Sequence, residues 1–206
     1  MLIDISPLID PTIDVWPGDT PFTRNVNLDM TEGSHLTLSD IRTTVHVGAH
    51  ADAPSHYVAD GGDIASRRLE LYIGRCVVVH VDVGRGERIY PVHLQGKAIS
   101  APRVLLRTGT FPDTRAWNDD FASLSAELVH RLYQHGVILV GIDTPSVDAF
   151  DSKDLETHQA FAQHDMGMLE GLVLSDVDEG EYELIAPPLR LRGADASPVR
   201  AVLRTL

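Results

Sequence analysis

Hydrophobic positions along the chain fall into short runs with two different periods. The segment "SHLTLSDIRTTVHV" (34–47) alternates partially and is rich in Thr, Val and Ile, the pattern of a half-buried strand. "CVVVHVDV" (76–83) and "RVLLRTG" (103–109) are short apolar strand runs, and the continuous "GVILVGIDT" (136–144) predicts a strand covered on both faces. "MLEGLVLSDV" (168–177) and "EYELIAP" (181–187) add two more. Helical spacing shows in only two places. In "SLSAELVHRLYQHG" (123–136) Ser123 or Ser125 can cap the first turn and Gly136 ends the helix. In "SKDLETHQAFAQHD" (152–165) Ser152 is the expected N-cap, with acidic residues in the first turn. The pattern predicts an α/β chain with more strand than helix. No repeat, low-complexity tract or long linker interrupts it, so residues 1–206 are expected to form one domain.

With 206 residues and 43% hydrophobic content the chain can bury a substantial core. A formal net charge of -13 argues against a sequence-independent grip on nucleic acid or anionic lipid, both of which need clustered Lys and Arg. The opening "MLIDISPLIDPTIDVWPGD" has no basic n-region, and no apolar run approaches the roughly 18 residues of a bilayer span. One cysteine, Cys76, excludes an intrachain disulfide, and its apolar surroundings predict a buried structural thiol. A cytoplasmic protein is expected.

Candidate chemistry changes this picture. Three of the ten histidines fall at 46, 50 and 56, with Asp52 among them, in "HVGAHADAPSH". Imidazole and carboxylate are the usual non-thiolate ligands for zinc and its neighbours. The step from His46 to His50 suits one face of a helix, but Gly48, the run Thr43-Thr44-Val45 and Pro54 all disfavour helix. A straight strand fails by length. Six steps at about 3.3 Å cover about 20 Å, more than two short side chains and metal bonds of about 2.0 to 2.2 Å can bridge. The segment is therefore expected to bend tightly after a strand ending near His46, with Gly48, Ala49, Ala51 and Ala53 permitting the bend, and to present His46, His50 and Asp52 as ligands.

One loop leaves the far side of an ion uncovered. Glu170 interrupts "GMLEGLVL", where a carboxylate is costly unless a cation or hydrogen bonds compensate it. Either His158, inside the helical pattern, or His164, at its end, could join it. Asp143, Asp148 and Asp165 stay open as ligands, with strand-end and turn roles the simpler use. "GRGER" (84–88) and "DGGD" (60–63) read as surface turns without the context of a phosphate loop.

With "HVGAHADAPSHY", "DISPLIDPTIDVWPGDTPF", "RTGTFPD" and "GIDTPSVDAFDSKDLETH" in view, the sequence resembles the cyclase-like family of metal-dependent hydrolases along essentially the whole chain, to the C-terminal "DASPVRAVL". Ala49 and the Trp-Pro-Gly-Asp-Thr-Pro run at 16–21 favour its kynurenine formamidase (arylformamidase) branch. The resemblance implies a strand-rich β/β/α swivelling-type fold with few helices, a homodimer, and two zinc ions, with manganese or another divalent metal as the alternative. It implies that His46 and His50 bind the first ion, that His158 binds the second, and that Asp52 and Glu170 contact both. His56 matches the family's acid/base histidine, and Trp16 its substrate-contacting aromatic. The chain departs from the family pattern at Ala149, where Pro is expected, and at Pro187, where Leu is more usual. The implied reaction is hydrolysis of the aryl formamide N-formyl-L-kynurenine to L-kynurenine and formate, with water activated at the metals and His56 moving the proton. Two rivals are an isatin hydrolase-like enzyme, against which the setting of Trp16 argues, and a non-catalytic protein with a closed structural zinc, which would need no spare acid/base such as His56.

Overall fold

The computed structural model describes residues 1–206. In chain order its elements are β1 (Leu2–Asp4), β2 (Thr23–Leu28), β3 (Leu38–Arg42), β4 (His50–Asp52), β5 (Ile73–His80), β6 (Arg88–Ile89), β7 (Arg103–Arg107) and β8 (Ser123–Leu124), then α1 (Ala126–Gln134), β9 (Leu139–Ile142), α2 (Glu156–Gln163), β10 (Gly167–Leu169), β11 (Gly180–Ile185), β12 (Ala196–Pro198) and β13 (Val202–Thr205). Seven strands form one mixed sheet in the order β1-β13-β11-β5-β7-β9-β10. The β5-β7-β9-β10 half is parallel, and β11, β13 and β1 extend it antiparallel. Parallel neighbours require crossovers, which α1 supplies before β9 and α2 before β10.

The apolar runs explain the sheet's place. Val77, Val79, Val104, Leu106, Val140, Ile142 and Met168 alternate onto one face, where they pack with Leu128, Val129, Leu132 and Phe161 of the two helices. Cys76, Val78, Leu105, Leu139 and Leu169 point to the other face and meet Ile5, Tyr72, Leu172, Leu174, Leu184 and Leu203. Each such side chain, fully buried, contributes about 1.5 to 3 kcal/mol by leaving water. The architecture is mixed α/β, strand-rich and poor in helix, as expected.

Three elements differ from the sequence pattern. The strand expected over 34–47 is only β3, which ends at Arg42; it pairs with β2 in a hairpin whose strands bury no residue. The strand expected over 168–177 stops at Leu169, because Gly171 takes a φ of 64° and its N–H bonds to Thr144 O instead of continuing a ladder. The helix expected over 152–165 begins at Glu156, after Leu155 in a left-handed turn, and Ser152 is not its cap. Ser152 Oγ accepts from Leu155 N, while Thr157 N and His158 N donate to the carboxylate of Asp148. A helix end exposes several unpaired N–H groups, and a buried carboxylate from outside the helix satisfies two of them here.

Candidate metal centre and active site

The carboxyl ends of the parallel strands are where an open α/β sheet leaves a crevice, and the charged residues gather there. Thr43 to Ala49 bends, and β4 follows, so that His50 and Asp52, two residues apart on a strand, face the same way. The tight bend expected for this segment thus spans only its first half; the second half is a short strand held by β12 on one side and by a bridge to Glu170 on the other. His50 N donates to Glu170 O at 3.1 Å, and Glu170 N to His50 O at 3.0 Å. Two glycines let the bend sit this close. Gly48 has a φ of 62°, and a Cβ on Gly171 would lie 2.3 Å from Gly48 O.

Asp52 and Glu170 each present one oxygen to either side of the cluster. Asp52 Oδ1 lies 3.1 Å from His46 Nδ1 and 3.5 Å from His50 Nε2, whereas Asp52 Oδ2 lies 3.5 Å from His158 Nε2 and 4.0 Å from His56 Nε2. Glu170 Oε2 is 3.1 Å from His50 Nε2, and its Oε1 is 3.7 Å from His158 Nε2. These approaches are close but misaligned for hydrogen bonding: both oxygens of Asp52, His50 Nε2 and His158 Nε2 are buried with no hydrogen-bond partner. Leaving such groups unpaired costs about 1 to 3 kcal/mol each, more when charged, so the cluster calls for a cation. Second contacts aim the rings. His50 Nδ1 donates to Gly48 O at 2.9 Å and His158 Nδ1 to Asp148 at 2.7 Å, which leaves each Nε2 free as a ligand. Ligand atoms of His50, Asp52 and Glu170, and of His46, Asp52 and His56, lie within 4.8 Å of one another. The donor set and its unpartnered atoms fit a divalent metal site.

The electrostatics agree. Burial works against the charge on His46, yet the carboxylates of Asp52, Asp195 and Glu170 raise it to about 9. Burial likewise opposes His158, and Asp148, Asp52 and Glu170 raise it to about 10. Burial alone would raise Asp52, but His46, His158 and His50 hold it well below the usual carboxylate range. Without metal, protons on His46 and His158 supply positive charge that the carboxylates demand.

All five expected metal ligands, His46, His50, Asp52, His158 and Glu170, meet in this cluster, and His56 stands at its edge. It ends the 3-10 turn Pro54–His56 with its side chain 34% exposed, reachable from the crevice. His164 is elsewhere, with its Nε2 2.8 Å from His130 Nδ1 and its ring stacked on Tyr133. Asp165 pairs with Arg67, and Asp143 accepts from Thr108 and Gly109. Asp148 is a helix cap and an anchor for His158, more than the turn role its sequence setting suggests. Asp195 joins the cluster from outside every candidate ligand motif in the sequence. Its Oδ2 lies 3.1 Å from His46 Nε2 and 3.3 Å from His56 Nδ1, joining the two histidines. "GADASPVR" carries no mark of this; only the pairing of β12 with β4, and Ala53 N donating to Asp195 O, brings it there. The turn "DGGD" is also more than surface: a Cβ on Gly61 would lie 2.3 Å from Pro54 C, so the glycine lets this turn pack under the one that carries His56.

A cavity of about 550 Å³ opens from the cluster, within the range of small-molecule sites. Trp16 lines it, half-buried in an aromatic group: its ring centroid is 5.4 Å from Trp117, nearly edge-on, and 4.9 Å from Phe150. This wall suits a flat aromatic ligand.

Residues 3–149 match the protein family described as "Putative cyclase". The chain is 47% identical over 206 residues to the kynurenine formamidase of Bordetella pertussis, covering 100% of this chain and 98% of that protein. A solved structure described as a potential metal-dependent hydrolase with cyclase activity superposes with a TM-score of 0.84 at 27% identity, over 98% of this chain and 96% of the other. Isatin hydrolase A from Labrenzia aggregata shares the fold, with a TM-score of 0.84 at 21% identity over 98% and 93% of the two chains.

Proposed function

The chain belongs to the cyclase family, and from that premise we infer that it is an arylformamidase, hydrolysing N-formyl-L-kynurenine to L-kynurenine and formate. The observation that carries this is the 47% identity to a kynurenine formamidase along the full chain. Isatin hydrolysis is the weaker reading, since the likeness to isatin hydrolase A is one of fold at 21% identity.

In this reading His46, His50, Asp52 and Glu170 hold one zinc ion, and Asp52, Glu170 and His158 hold a second. The unpartnered atoms of Asp52, His50 and His158 support the assignment. Such ions, when bound, act as Lewis acids on a carbonyl and lower the pKa of water. The remaining work falls to the protein. Trp16 and its aromatic neighbours hold the aryl ring so that the formyl group meets the cluster. His56 Nε2 takes a proton from the attacking water and delivers it to the aniline nitrogen as the C–N bond breaks. Asp195 fixes the tautomer for this step: by accepting from His56 Nδ1 it leaves Nε2 without a proton and facing the crevice. Because Asp195 also touches His46, the base keeps its place relative to the metal ligands.

A homodimer belongs to the same reading. The β2–β3 hairpin exposes Val26 and Ile41 on one face and Leu38 on the other, apolar side chains that a second copy would cover. A cytoplasmic setting fits the buried thiol of Cys76, whose pKa burial pushes up to about 12. No helix is long and apolar enough to cross a membrane.

The test is incubation of purified, metal-quantified protein with N-formyl-L-kynurenine, following kynurenine absorbance, with isatin in parallel. Rapid release of kynurenine and slow or absent opening of isatin is expected. Preference for isatin would reverse the assignment.

A further inference from the structure

One basic group in the cavity has no role in the chemistry above. Arg107, at the end of β7, is the only Arg or Lys among the residues lining it, and the other charged neighbours, Asp14, Asp19, Asp143 and Glu170, are acidic. Despite them Arg107 forms no ion pair. Its nearest partners are His80 Nε2 at 3.3 Å and Val177 O at 3.4 Å, both on one terminal nitrogen. His80 Nε2 lies 2.8 Å from the same Val177 O, so it donates there and cannot also accept from Arg107. Asp143 follows β9 where Arg107 ends β7, across the parallel pair, and its carboxylate oxygens are taken up by other donors. Both its oxygens accept from Thr108 N, Thr108 Oγ1 and Gly109 N, the residues that follow Arg107. The fold thus spends the adjacent anion on the backbone and leaves a half-buried guanidinium facing the cavity.

Position gives this cation a ligand. Glu170 follows β10, and β9 lies between β10 and β7. Two strand spacings of about 4.8 Å put Arg107 about 10 Å along the carboxyl edge of the sheet from the metal cluster. An aryl formamide with an ortho side arm ending in an α-amino acid has that order of length between its formyl group and its carboxylate. Resting on the formamidase reading, we propose that Arg107 binds the α-carboxylate of the substrate, so that the formyl group, the ring and the carboxylate are each held at a separate place in the cavity. A guanidinium suits a carboxylate because two parallel N–H groups can meet its two oxygens. Among acidic walls it is also the one Arg or Lys available to pair with the carboxylate of a zwitterionic amino-acid substrate.

The experiment compares two substrates with the same scissile bond, N-formyl-L-kynurenine and formanilide, which lacks the amino-acid arm. Arg107→Gln should lower kcat/KM for N-formyl-L-kynurenine about 10- to 100-fold, the range of a lost charge-assisted pair, and leave formanilide hydrolysis unchanged. Formanilide is therefore an internal control for folding and metal content. Arg107→Lys should recover part of the loss. A second readout is binding of the product by quenching of the two tryptophans, Trp16 and Trp117, both of which line the cavity. L-kynurenine should bind the Gln variant more weakly by a similar factor, and 2-aminoacetophenone, which has the ring but no amino-acid group, should bind both proteins alike. Equal losses on both substrates, or no loss on either, would overturn the assignment of Arg107 while leaving the formamidase reading in place. A wild-type protein that hydrolyses formanilide but not N-formyl-L-kynurenine would overturn both.

Discussion

Asp148→Asn tests how the metal centre is held from outside. The Asp148 side chain is fully buried and accepts three bonds: Thr157 N at 3.1 Å on one oxygen, His158 N at 3.1 Å and His158 Nδ1 at 2.7 Å on the other. Asparagine keeps the volume but offers one acceptor oxygen, so its amide must face a donor whichever way it turns. A hydrogen bond to a charged group contributes about 1.5 to 3 kcal/mol, and a buried donor left unpaired costs about 1 to 3 kcal/mol. The anion at the start of α2 adds about 0.3 to 1 kcal/mol through the helix dipole. Because some of these effects overlap, the expected destabilisation of the metal-free protein is about 2 to 4 kcal/mol, read as a shift in the urea midpoint without a change in slope. The effect on metal should be separate. With Nδ1 no longer held, the His158 ring loses its fixed tautomer and aim, and metal affinity should fall about 10- to 100-fold in competition with a chromophoric chelator. Ser125→Ala is the control, since Ser125 caps α1 by accepting from Leu128 N and touches no ligand. It should cost about 1 kcal/mol and leave metal affinity unchanged. The reasoning is refuted if Asp148→Asn is destabilised yet binds metal as tightly as wild type, for then Asp148 is a helix cap and nothing more.

Other outcomes follow from the same geometry. Gly171→Ala places a methyl 2.3 Å from Gly48 O at a φ of 64°, so the bend must lift from Glu170; metal occupancy should drop, and a fully loaded variant would contradict the packing. His56→Ala should retain metal while turnover falls about 100- to 10,000-fold; loss of metal from this variant would make His56 a ligand. Asp195→Asn should lower kcat more than it changes KM, and an unaltered kcat would remove it from the proton path. In the metal-free protein His46 at about 9 and His158 at about 10 sit above the ordinary histidine value, so both carry protons near neutral pH. A ligating imidazole is neutral, so loading must expel those protons and affinity must rise with pH up to that range. Calorimetry in buffers of different ionisation enthalpy measures the release, and buffer-independent heats would contradict it.

What the sequence determined by itself is local. The apolar runs that became β5, β7 and β9 carry their burial in their own composition, and Ser125 and Gly136 bound α1 through contacts within a turn. The make-up of the candidate metal cluster was also legible, because imidazole and carboxylate at 46, 50, 52 and 56 have no packing use among small residues, and a carboxylate at 170 in an apolar run needs a cation or hydrogen bonds to compensate it. Tertiary structure decided how these groups are aimed. His46 and Asp195 are separated by 149 positions, and only the β4–β12 ladder makes them neighbours. The start of α2 moved from Ser152 to Glu156 because the loop before the helix folds back and sets the buried carboxylate of Asp148, not Ser152, against its first N–H groups. Arg107 reads in sequence as the end of a strand, and its freedom depends on Asp143 being occupied by the next two residues on β7's exit. Side-chain chemistry belongs to the residue, but its partner, its protonation and the direction it faces depend on which distant backbone lies against it.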